Sequence, residues 1–276
     1  MIRQLLLFGL VVWGIIYSYN RLTDGYSLSQ MRSQLPNNPR FAPPDLSLDE
    51  EEKIRAMLDQ PFHYLGKGCQ FYAFGSADGK YVLKFLKQKH LRAPPPFQKS
   101  SALRRQERVE KLFSSVQLAY QKLPVESGLL YIHLNRMPAI GSKVTLVDKV
   151  GIKRKILVDD YEFILQERAL TVKEVFENIA TREEAEARID QLIALVHARC
   201  AKGIRDRDRS FAQNVAFAQN EDRALFIDVG QFYEDETILQ KEEQEMDLQK
   251  RLGNLNHFLE KIGYKFANES HLARQL

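Results

Sequence analysis

Cysteine is scarce in this sequence, which has only Cys69 and Cys200 among its 276 residues. Neither cysteine belongs to a CxxC pair, and this absence argues against a zinc site and against dithiol redox chemistry. The sequence also lacks a block of basic residues interleaved with aromatic residues, so we expect no nucleic-acid partner. We interpret the two cysteines as free thiols.

Long apolar runs are scarce too, and the only one covers residues 5–19, between Arg3 and Arg21. The run is shorter than the roughly 20 residues that usually span a bilayer, and no small-x-small signal cleavage site follows it. We nevertheless predict a single-pass membrane anchor over residues 1–20, with a cleaved signal or a buried soluble helix as alternatives. The arginines after the run outnumber the one before it, which predicts a cytosolic domain.

The remaining composition is typical of a globular protein, with 44% hydrophobic residues, 28% charged residues and a formal net charge of +4. Such a weakly basic chain suits an anionic ligand or a membrane surface. Residues 21–48 contain four prolines among polar residues and predict a partly extended linker. Residues 49–276 are long enough to bury a core of their own.

Strand signals dominate the first part of this domain. The Asp78-Gly79 pair predicts a hairpin, and we expect residues 128–135 and 143–168 to form three further strands, the last two joined around Gly151. A helix is predicted over residues 101–123, because its apolar residues recur with helical spacing.

Helix signals dominate the chain from Thr171 onwards, and two charged helices are expected over residues 235–250 and 254–262. Strands followed by helices predict an α+β fold of two lobes with a cleft between them. The strand-rich N-lobe would cover residues 49–168, and a short helical C-lobe would cover residues 169–276.

A lysine in an apolar strand is the first candidate functional residue. Lys84 lies in Tyr81-Val82-Leu83-Lys84-Phe85-Leu86, a strand whose two faces are both apolar. A buried ammonium group needs an anionic partner, and we predict Glu110 on the next helix, with Glu107 or an exposed edge lysine as alternatives. The glycines of Gly66-Lys67-Gly68, which ends 16 residues before Lys84, would let a phosphate approach the backbone.

Three aspartates and an asparagine form the second candidate group. Asp206 and Asp208 follow a predicted helix, Asn214 comes six residues after Asp208, and Asp228 ends an apolar strand. An aspartate and an amide oxygen can share a divalent metal, and another aspartate can orient or deprotonate a hydroxyl. Each motif alone is also compatible with a simple turn or a solvated salt-bridge loop.

The order of these motifs resembles the protein-kinase-like superfamily, including lipopolysaccharide and aminoglycoside kinases, over roughly residues 62–230. The resemblance implies a protein-kinase-like two-lobe fold that binds ATP and Mg²⁺. It implies these roles: Gly66 and Gly68 in the glycine-rich loop, Lys84 on the phosphates with Glu110 as its helix partner, Gln166 and Glu167 at the adenine-binding hinge, Asp208 in catalysis, and Asn214 and Asp228 on the metal.

The sequence also departs from the family pattern. Phe71 replaces the third loop glycine, no histidine precedes the Arg-Asp pair, and the interval from Asp208 to Asn214 is one residue longer than usual, so Asp206 remains a rival for the catalytic role. No Ala-Pro-Glu motif follows Gly230. These departures favour a minimal small-molecule or lipid-sugar kinase, or a pseudokinase, over a typical protein kinase.

The predicted function is therefore an ATP- and Mg²⁺-dependent phosphotransferase, attached to a membrane, that acts on a hydroxyl of an unidentified acceptor. One alternative is a catalytically inactive, pseudokinase-type module that binds nucleotide or protein at the membrane. Another is a membrane-tethered structural protein in which the motifs are accidental.

Overall fold

The computed structural model describes residues 2–32, 35–88, 99–219 and 221–264. Strands and helices are both present throughout these ranges, which confirms the α+β fold class. The chain forms two compact units, and the third of its three crossings between them lies between Gln166 and Glu167.

The first unit comprises Met1–Gln106 and Tyr131–Gln166, and the second comprises Glu107–Leu130 and Glu167–Leu276. The elements of the first unit, some of which extend into the second, are α1 (Ile2–Thr23), α2 (Leu28–Met31), α3 (Leu48–Leu58), β1 (Pro61–Lys67), β2 (Phe71–Ser76), β3 (Tyr81–Leu86), the first turns of α4 (Lys99–Lys122), β4 (Leu129–His133), β5 (Lys143–Val147), β6 (Lys153–Leu157) and β7 (Phe163–Glu167). Short 3-10 helices lie at Pro39–Phe41 and Val158–Asp160.

The N-terminal apolar run forms part of α1. Among the described residues, no helix combines the length and apolar character that crossing a membrane requires. The transmembrane helix predicted over residues 1–20 is therefore not supported, because the apolar run is short and is bounded by polar residues at both ends.

Part of the predicted linker at residues 21–48 is packed instead of extended. Tyr26, Met31 and Phe41 are buried, and Met31 has no exposed surface. The four prolines favour an extended backbone, but they do not prevent nearby apolar side chains from packing against the sheet.

A seven-stranded sheet forms the core of the first unit, in the order β4-β7-β3-β2-β1-β5-β6. Residues 143–168 contribute three strands to it, β5, β6 and β7, where the sequence predicted two. The hairpin around Gly151 is present, but the 3-10 helix Val158–Asp160 separates β6 from β7. The strand β3 has neighbours on both sides, as its apolar faces predicted.

The second unit is mainly helical. Its elements are the rest of α4, α5 (Pro124–Ser127), β8 (Ala169–Thr171), α6 (Val172–Phe176), α7 (Arg182–Ala201), β9 (Ile204–Asp206), α8 (Phe211–Asn214), β10 (Val215–Ala218), β11 (Ala224–Phe226), β12 (Phe232–Glu234), a 3-10 helix (Glu236–Leu239) and α9 (Lys241–Lys261). The two predicted charged helices are instead the 3-10 helix and one continuous α9. Leu248, Leu252 and Leu255 are buried on α9 on both sides of Gly253, so packing holds the helix together at this glycine.

Candidate functional site

In the first unit, β1, β2 and β3 bring small residues next to Lys84. Antiparallel pairing places Gly66 opposite Ala73, and Ala73 opposite Lys84. Residues directly opposite each other project from the same face of a sheet. Gly66, Ala73 and Lys84 therefore form one row, in which small neighbours leave the face beside the lysine open.

A β-bulge in β1 sets this row. The register shifts between Tyr64, which pairs with Phe74, and Gly66, which pairs with Ala73, so Leu65 is the extra residue. Tyr64 therefore lies on the face opposite Lys84, whereas Gly66 lies on the same face as Lys84. No feature of the sequence predicted this bulge.

Within the first unit, the side chain of Lys84 contacts that of Gln166. The Lys84 ammonium donates a hydrogen bond to Gln166 Oε1 at 2.5 Å, and Gln166 is buried. The resemblance implies a hinge role for Gln166, whereas the structure shows its side chain orienting the lysine. Glu110 is half-buried on the part of α4 that belongs to the second unit, and its pairing with Lys84 stays a prediction.

The backbone conformation at Gly66 and at Gly68 is not one that only glycine can adopt. Neither glycine has a positive φ, so other residues could adopt the same backbone conformation. A Cβ built on either glycine meets no atom within 4 Å. The feature they provide is open space beside the backbone, which a ligand could occupy.

Lys87 is a residue near this loop that sequence reasoning missed. Its buried ammonium group donates a hydrogen bond to the carbonyl of Gly68 and lies 4.8 Å from the centre of the Tyr72 ring. Lys87 directly follows β3, and its hydrogen bond thus connects the end of β3 to the turn between β1 and β2. The only sequence feature that could have indicated a role for Lys87 was its position just after the predicted strand that contains Lys84.

Glu167 begins a segment of the second unit. Its amide donates a hydrogen bond to Gly128 O at 2.8 Å, and its half-buried carboxylate pairs with Arg223. Arg223 also donates a hydrogen bond to Val125 O at 2.7 Å. The Glu167 carboxylate is thus used to join segments of this unit, and the adenine-binding role of its backbone stays a prediction.

Asp206 and Asp208 differ sharply in environment. The Asp206 side chain is only 4% exposed and has Arg251 at 3.4 Å and Arg199 at 3.9 Å. Burial raises the pKa of Asp206 above its ordinary value, although both arginines act in the opposite direction. Asp208 is half-buried, and its Oδ1 accepts a hydrogen bond from the amide of Ser210 at 2.8 Å. Asp208 is therefore the better placed of the two to meet a substrate.

Arg251 on α9 holds the backbone of this loop. Its guanidinium donates hydrogen bonds to the carbonyls of Asp206, at 2.5 Å, and of Asp208. Asp247 contacts both Arg251, at 3.3 Å, and Arg199, so two arginines and two aspartates balance in charge inside the unit. Burial acts to lower the pKa of Arg199, but Asp247, Cys200 and Asp206 together outweigh burial and raise that pKa above its ordinary value. Sequence reasoning missed this network.

The predicted metal ligands lie together in the second unit. The carbonyl of Asn214 accepts hydrogen bonds from the amides of Ile227, at 2.8 Å, and Asp228, at 3.3 Å. Asp228 Oδ1 accepts one from the Gly230 amide at 3.1 Å, which fixes the turn after β11. Within the described ranges, no three or more His, Cys, Asp or Glu residues are grouped so that they could hold a metal ion. A carboxylate and an amide oxygen fit Mg²⁺, which commonly takes its other ligands from phosphate and water.

Pairing of β9 with β12 brings the Asp206–Asp208 loop next to the Asp228 turn. Phe232 pairs with Asp206, and the amide of Arg207 donates a hydrogen bond to Gln231 O at 3.1 Å. The second unit therefore brings together three separate stretches of sequence: the Asp206–Asp208 loop, Asn214, and the Asp-Val-Gly turn that begins at Asp228.

Comparison of the whole sequence with known proteins gives no match to a family model. No curated protein matches it either. Solved structures do match at low identity. WbdD, described elsewhere as a bifunctional kinase-methyltransferase, is similar at 12% identity and a TM-score of 0.42, with 78% of this chain and 43% of WbdD covered. The chain thus spans less than half the length of WbdD.

Two further structures are similar to the chain. Rv3197 from Mycobacterium tuberculosis, solved with erythromycin, matches at 13% identity and a TM-score of 0.38, covering 80% of this chain and 61% of that one. The aminoglycoside phosphotransferase APH(2'')-Ib, solved with ADP, matches at 11% identity and a TM-score of 0.30, covering 83% and 95%. A kinase and a phosphotransferase are thus among the similar proteins. The three TM-scores lie below 0.5, and these similarities alone assign no function to the chain.

Proposed function

We propose that this protein is an ATP- and Mg²⁺-dependent phosphotransferase of the protein-kinase-like superfamily, with a hydroxyl group as acceptor. The contact that carries the proposal is the backbone hydrogen bond from the Asp228 amide to Asn214 O, at 3.3 Å, which brings an asparagine and an aspartate together at the end of β11. Oxygen ligands of this kind suit Mg²⁺ bound to phosphates.

The roles of the side chains follow from their positions. Lys84, held by Gln166 in an open row of small residues, would bind the nucleotide phosphates. Asn214 and Asp228 would hold Mg²⁺, which neutralises charge on the transferred phosphoryl group. Asp208 would orient the acceptor hydroxyl and take its proton. Asp206, which is buried against two arginines, would support the loop without meeting substrate.

Thermal stabilisation of the full chain by ATP with Mg²⁺ tests nucleotide binding, since a ligand of the native state raises the melting temperature. We expect Lys84→Met and Asp228→Asn to abolish the shift. Asp222→Asn is the matched control, because that carboxylate is 92% exposed and lies in the same unit. An unchanged shift in both site variants would contradict the proposal.

Catalysis needs a separate measurement. ADP release in the presence of candidate alcohol acceptors should fall about 100-fold or more in Asp208→Asn while ATP still stabilises the protein. Nucleotide binding without any phosphoryl transfer would favour the second candidate, a pseudokinase-type binding module. That candidate draws support from the missing third loop glycine, where Phe71 stands.

Membrane attachment and a cytosolic domain are separate proposals. Large apolar side chains on α1 are exposed, and they are Phe8, Leu10, Val11, Val12, Trp13, Ile16, Tyr17, Tyr19 and Leu22. Flotation of the full chain with phospholipid vesicles, compared with a Leu10→Glu/Ile16→Glu variant, tests attachment. Loss of flotation in the variant supports it, and equal flotation contradicts it.

A further inference from the structure

Residues 24–32, here named the strap, connect α1 to the rest of the first unit and lie against β1 and β2. The strap begins directly after the last residue of α1, Thr23. It contains α2, and Arg32 at its end forms a β-bridge with Tyr161. Its position is notable because β1 and β2, with the turn between them, form the hairpin that carries Gly66 and Gly68.

Polar contacts join the strap to this glycine hairpin. The Tyr64 hydroxyl donates a hydrogen bond to Asp24 Oδ2 at 3.2 Å, and the Lys67 ammonium donates one to Asp24 O at 2.6 Å. The Tyr72 hydroxyl lies 3.2 Å from Gly25 O and 3.0 Å from Gln30 Oε1. Side chains from both strands of the hairpin thus reach the strap.

An aromatic cluster supports the same contact. Tyr26 of the strap is only 3% exposed, and its ring centre lies 5.8 Å from that of Tyr64, 5.5 Å from that of Tyr72 and 5.4 Å from that of Phe74. Such aromatic pairs add to the free energy of simple burial. Burial raises the pKa of the Tyr26 and Tyr64 hydroxyls, which therefore stay protonated near neutral pH.

The strap backbone is shaped for this contact. Asp24 has φ of +54°, and among the described residues it is the only non-glycine with a positive φ. Gly25 follows with φ of +69°. A left-handed aspartate is uncommon and needs support from its surroundings. Here the support includes Lys149, whose ammonium lies 3.1 Å from Asp24 Oδ1.

Strand register shows which face of the hairpin the strap covers. Tyr64 pairs with Phe74, which pairs with Leu83, and Tyr72 pairs with Phe85. Because successive residues point to opposite faces, these side chains lie on the face opposite Lys84. The strap therefore packs against the face of the hairpin opposite Lys84. These contacts leave the face of Lys84 uncovered.

We propose that the strap positions the glycine hairpin for nucleotide binding, with Tyr64 and Tyr72 as positioning residues. The two hydroxyls hold the hairpin to a strap that continues directly from α1, so a change at α1 would reach the glycine hairpin through Asp24 and Gly25. The part of the proposal that concerns nucleotide affinity rests on the proposed function. The attachment of the hairpin to the strap does not.

Hydrogen exchange of the full chain, in the variant Tyr64→Phe/Tyr72→Phe, tests the attachment without any nucleotide. The variant keeps both rings and removes only the hydroxyls that reach the strap. Amides of residues 61–76 should exchange about tenfold faster, because two hydrogen bonds that oppose local opening are lost. Exchange in α7, which belongs to the second unit, should not change. Unchanged exchange in the hairpin would overturn the proposal.

Tyr26→Phe is the matched control from the same cluster. Within the described part of the chain, the Tyr26 hydroxyl is buried without a hydrogen-bond partner, so its removal should leave hairpin exchange as it is. Equally fast exchange in the control would overturn the role of the two positioning hydroxyls.

Affinity for ATP with Mg²⁺ then tests the link to function. The double variant should bind at least about threefold more weakly than the Tyr26→Phe control, since less of the protein has the binding-competent hairpin. Faster hairpin exchange with unchanged affinity would overturn positioning. Failure of the wild-type chain to bind nucleotide would overturn the proposed function and the affinity part together, and the exchange result would still decide whether the strap restrains the hairpin.

Discussion

Ser115 on α4 is hydrogen-bonded to Val229, 114 positions further along the chain. The Ser115 hydroxyl donates to Val229 O at 2.5 Å and accepts from the amide of Phe232, also at 2.5 Å. Both bonds are buried and lie on the turn that carries Asp228. The single hydroxyl of Ser115 on α4 thus fixes the backbone of the Asp-Val-Gly turn.

Ser115→Ala should lower the free energy of unfolding by about 1–3 kcal/mol, because it leaves a buried amide and a buried carbonyl without their partner. Chemical denaturation measures this loss. Ser18→Ala, at an exposed position of α1, is the control and should change stability by less than about 0.5 kcal/mol. Similar effects of the two substitutions would contradict the role given to Ser115.

Gly68→Ala and Gly128→Ala should separate ligand binding from stability. Gly68 has space for a Cβ, whereas Gly128 has φ of +59° and its added Cβ would meet Glu167 Cβ at 3.2 Å. Gly128→Ala should destabilise the protein by about 2 kcal/mol, and Gly68→Ala by less than about 0.5 kcal/mol. If nucleotide phosphate approaches Gly68, ATP affinity should fall in Gly68→Ala alone. Melting temperatures with and without ATP give both quantities.

Asp148 predicts a pH dependence of stability. Burial opposes its ionisation, but Arg154, at 2.6 Å, and the amides of Ile152 and Val150 outweigh burial and lower its pKa below the ordinary value. A lowered folded-state pKa contributes stability above the unfolded-state pKa, and this contribution is lost as the pH falls through the folded-state value. The window therefore lies below about pH 4.

Asp148→Asn should cost about 1–2 kcal/mol at pH 7, and the difference from the wild type should shrink below about pH 4. Urea denaturation at several pH values measures it. Asp160→Asn, at an exposed carboxylate, serves as the control. A difference in unfolding free energy that does not depend on pH would show that the Asp148 charge does not stabilise the turn between β5 and β6.

Arg251→Met should destabilise the protein by about 3–5 kcal/mol, because it leaves two buried aspartates with too little positive charge. Arg205→Met is a useful comparison, since Arg205 lies on β9 in the same unit but its carboxylate partners, Asp235 and Glu243, are more exposed. Its effect should be smaller, about 1 kcal/mol. Equal losses in the two variants would argue against a special role for the buried network.

Local signals in the sequence predicted the helices well. Ser47 and Thr181 each accept a hydrogen bond from the amide three residues later, as is typical of serine and threonine at the start of a helix. The apolar stripe of α4 predicted burial of Val109, Leu112 and Val116. These features depend on residues within one or two turns of each other, which is why one sequence suffices to find them.

Contacts between distant residues could not be predicted in the same way. Gln166 was expected at a hinge, and its side chain proved to hold Lys84, 82 positions away. Arg251 had no distinguishing feature within a charged helix, although it fixes the Asp206–Asp208 backbone. Tyr26 lay in a proline-rich stretch, and its burial depends on the aromatic face of a hairpin that follows later in the chain. Such pairings depend on tertiary packing, which periodicity does not encode.

The hydrogen bonds from Arg251 to the Asp206–Asp208 loop have a consequence for biosynthesis. A ribosome makes the loop more than forty residues before it makes the arginine that fixes the loop's carbonyls. Domains tend to fold as units during synthesis. The acidic loop can therefore reach its final geometry only after α9 has emerged, so a nascent chain stalled before residue 251 would not yet contain an ordered Asp206–Asp208 loop.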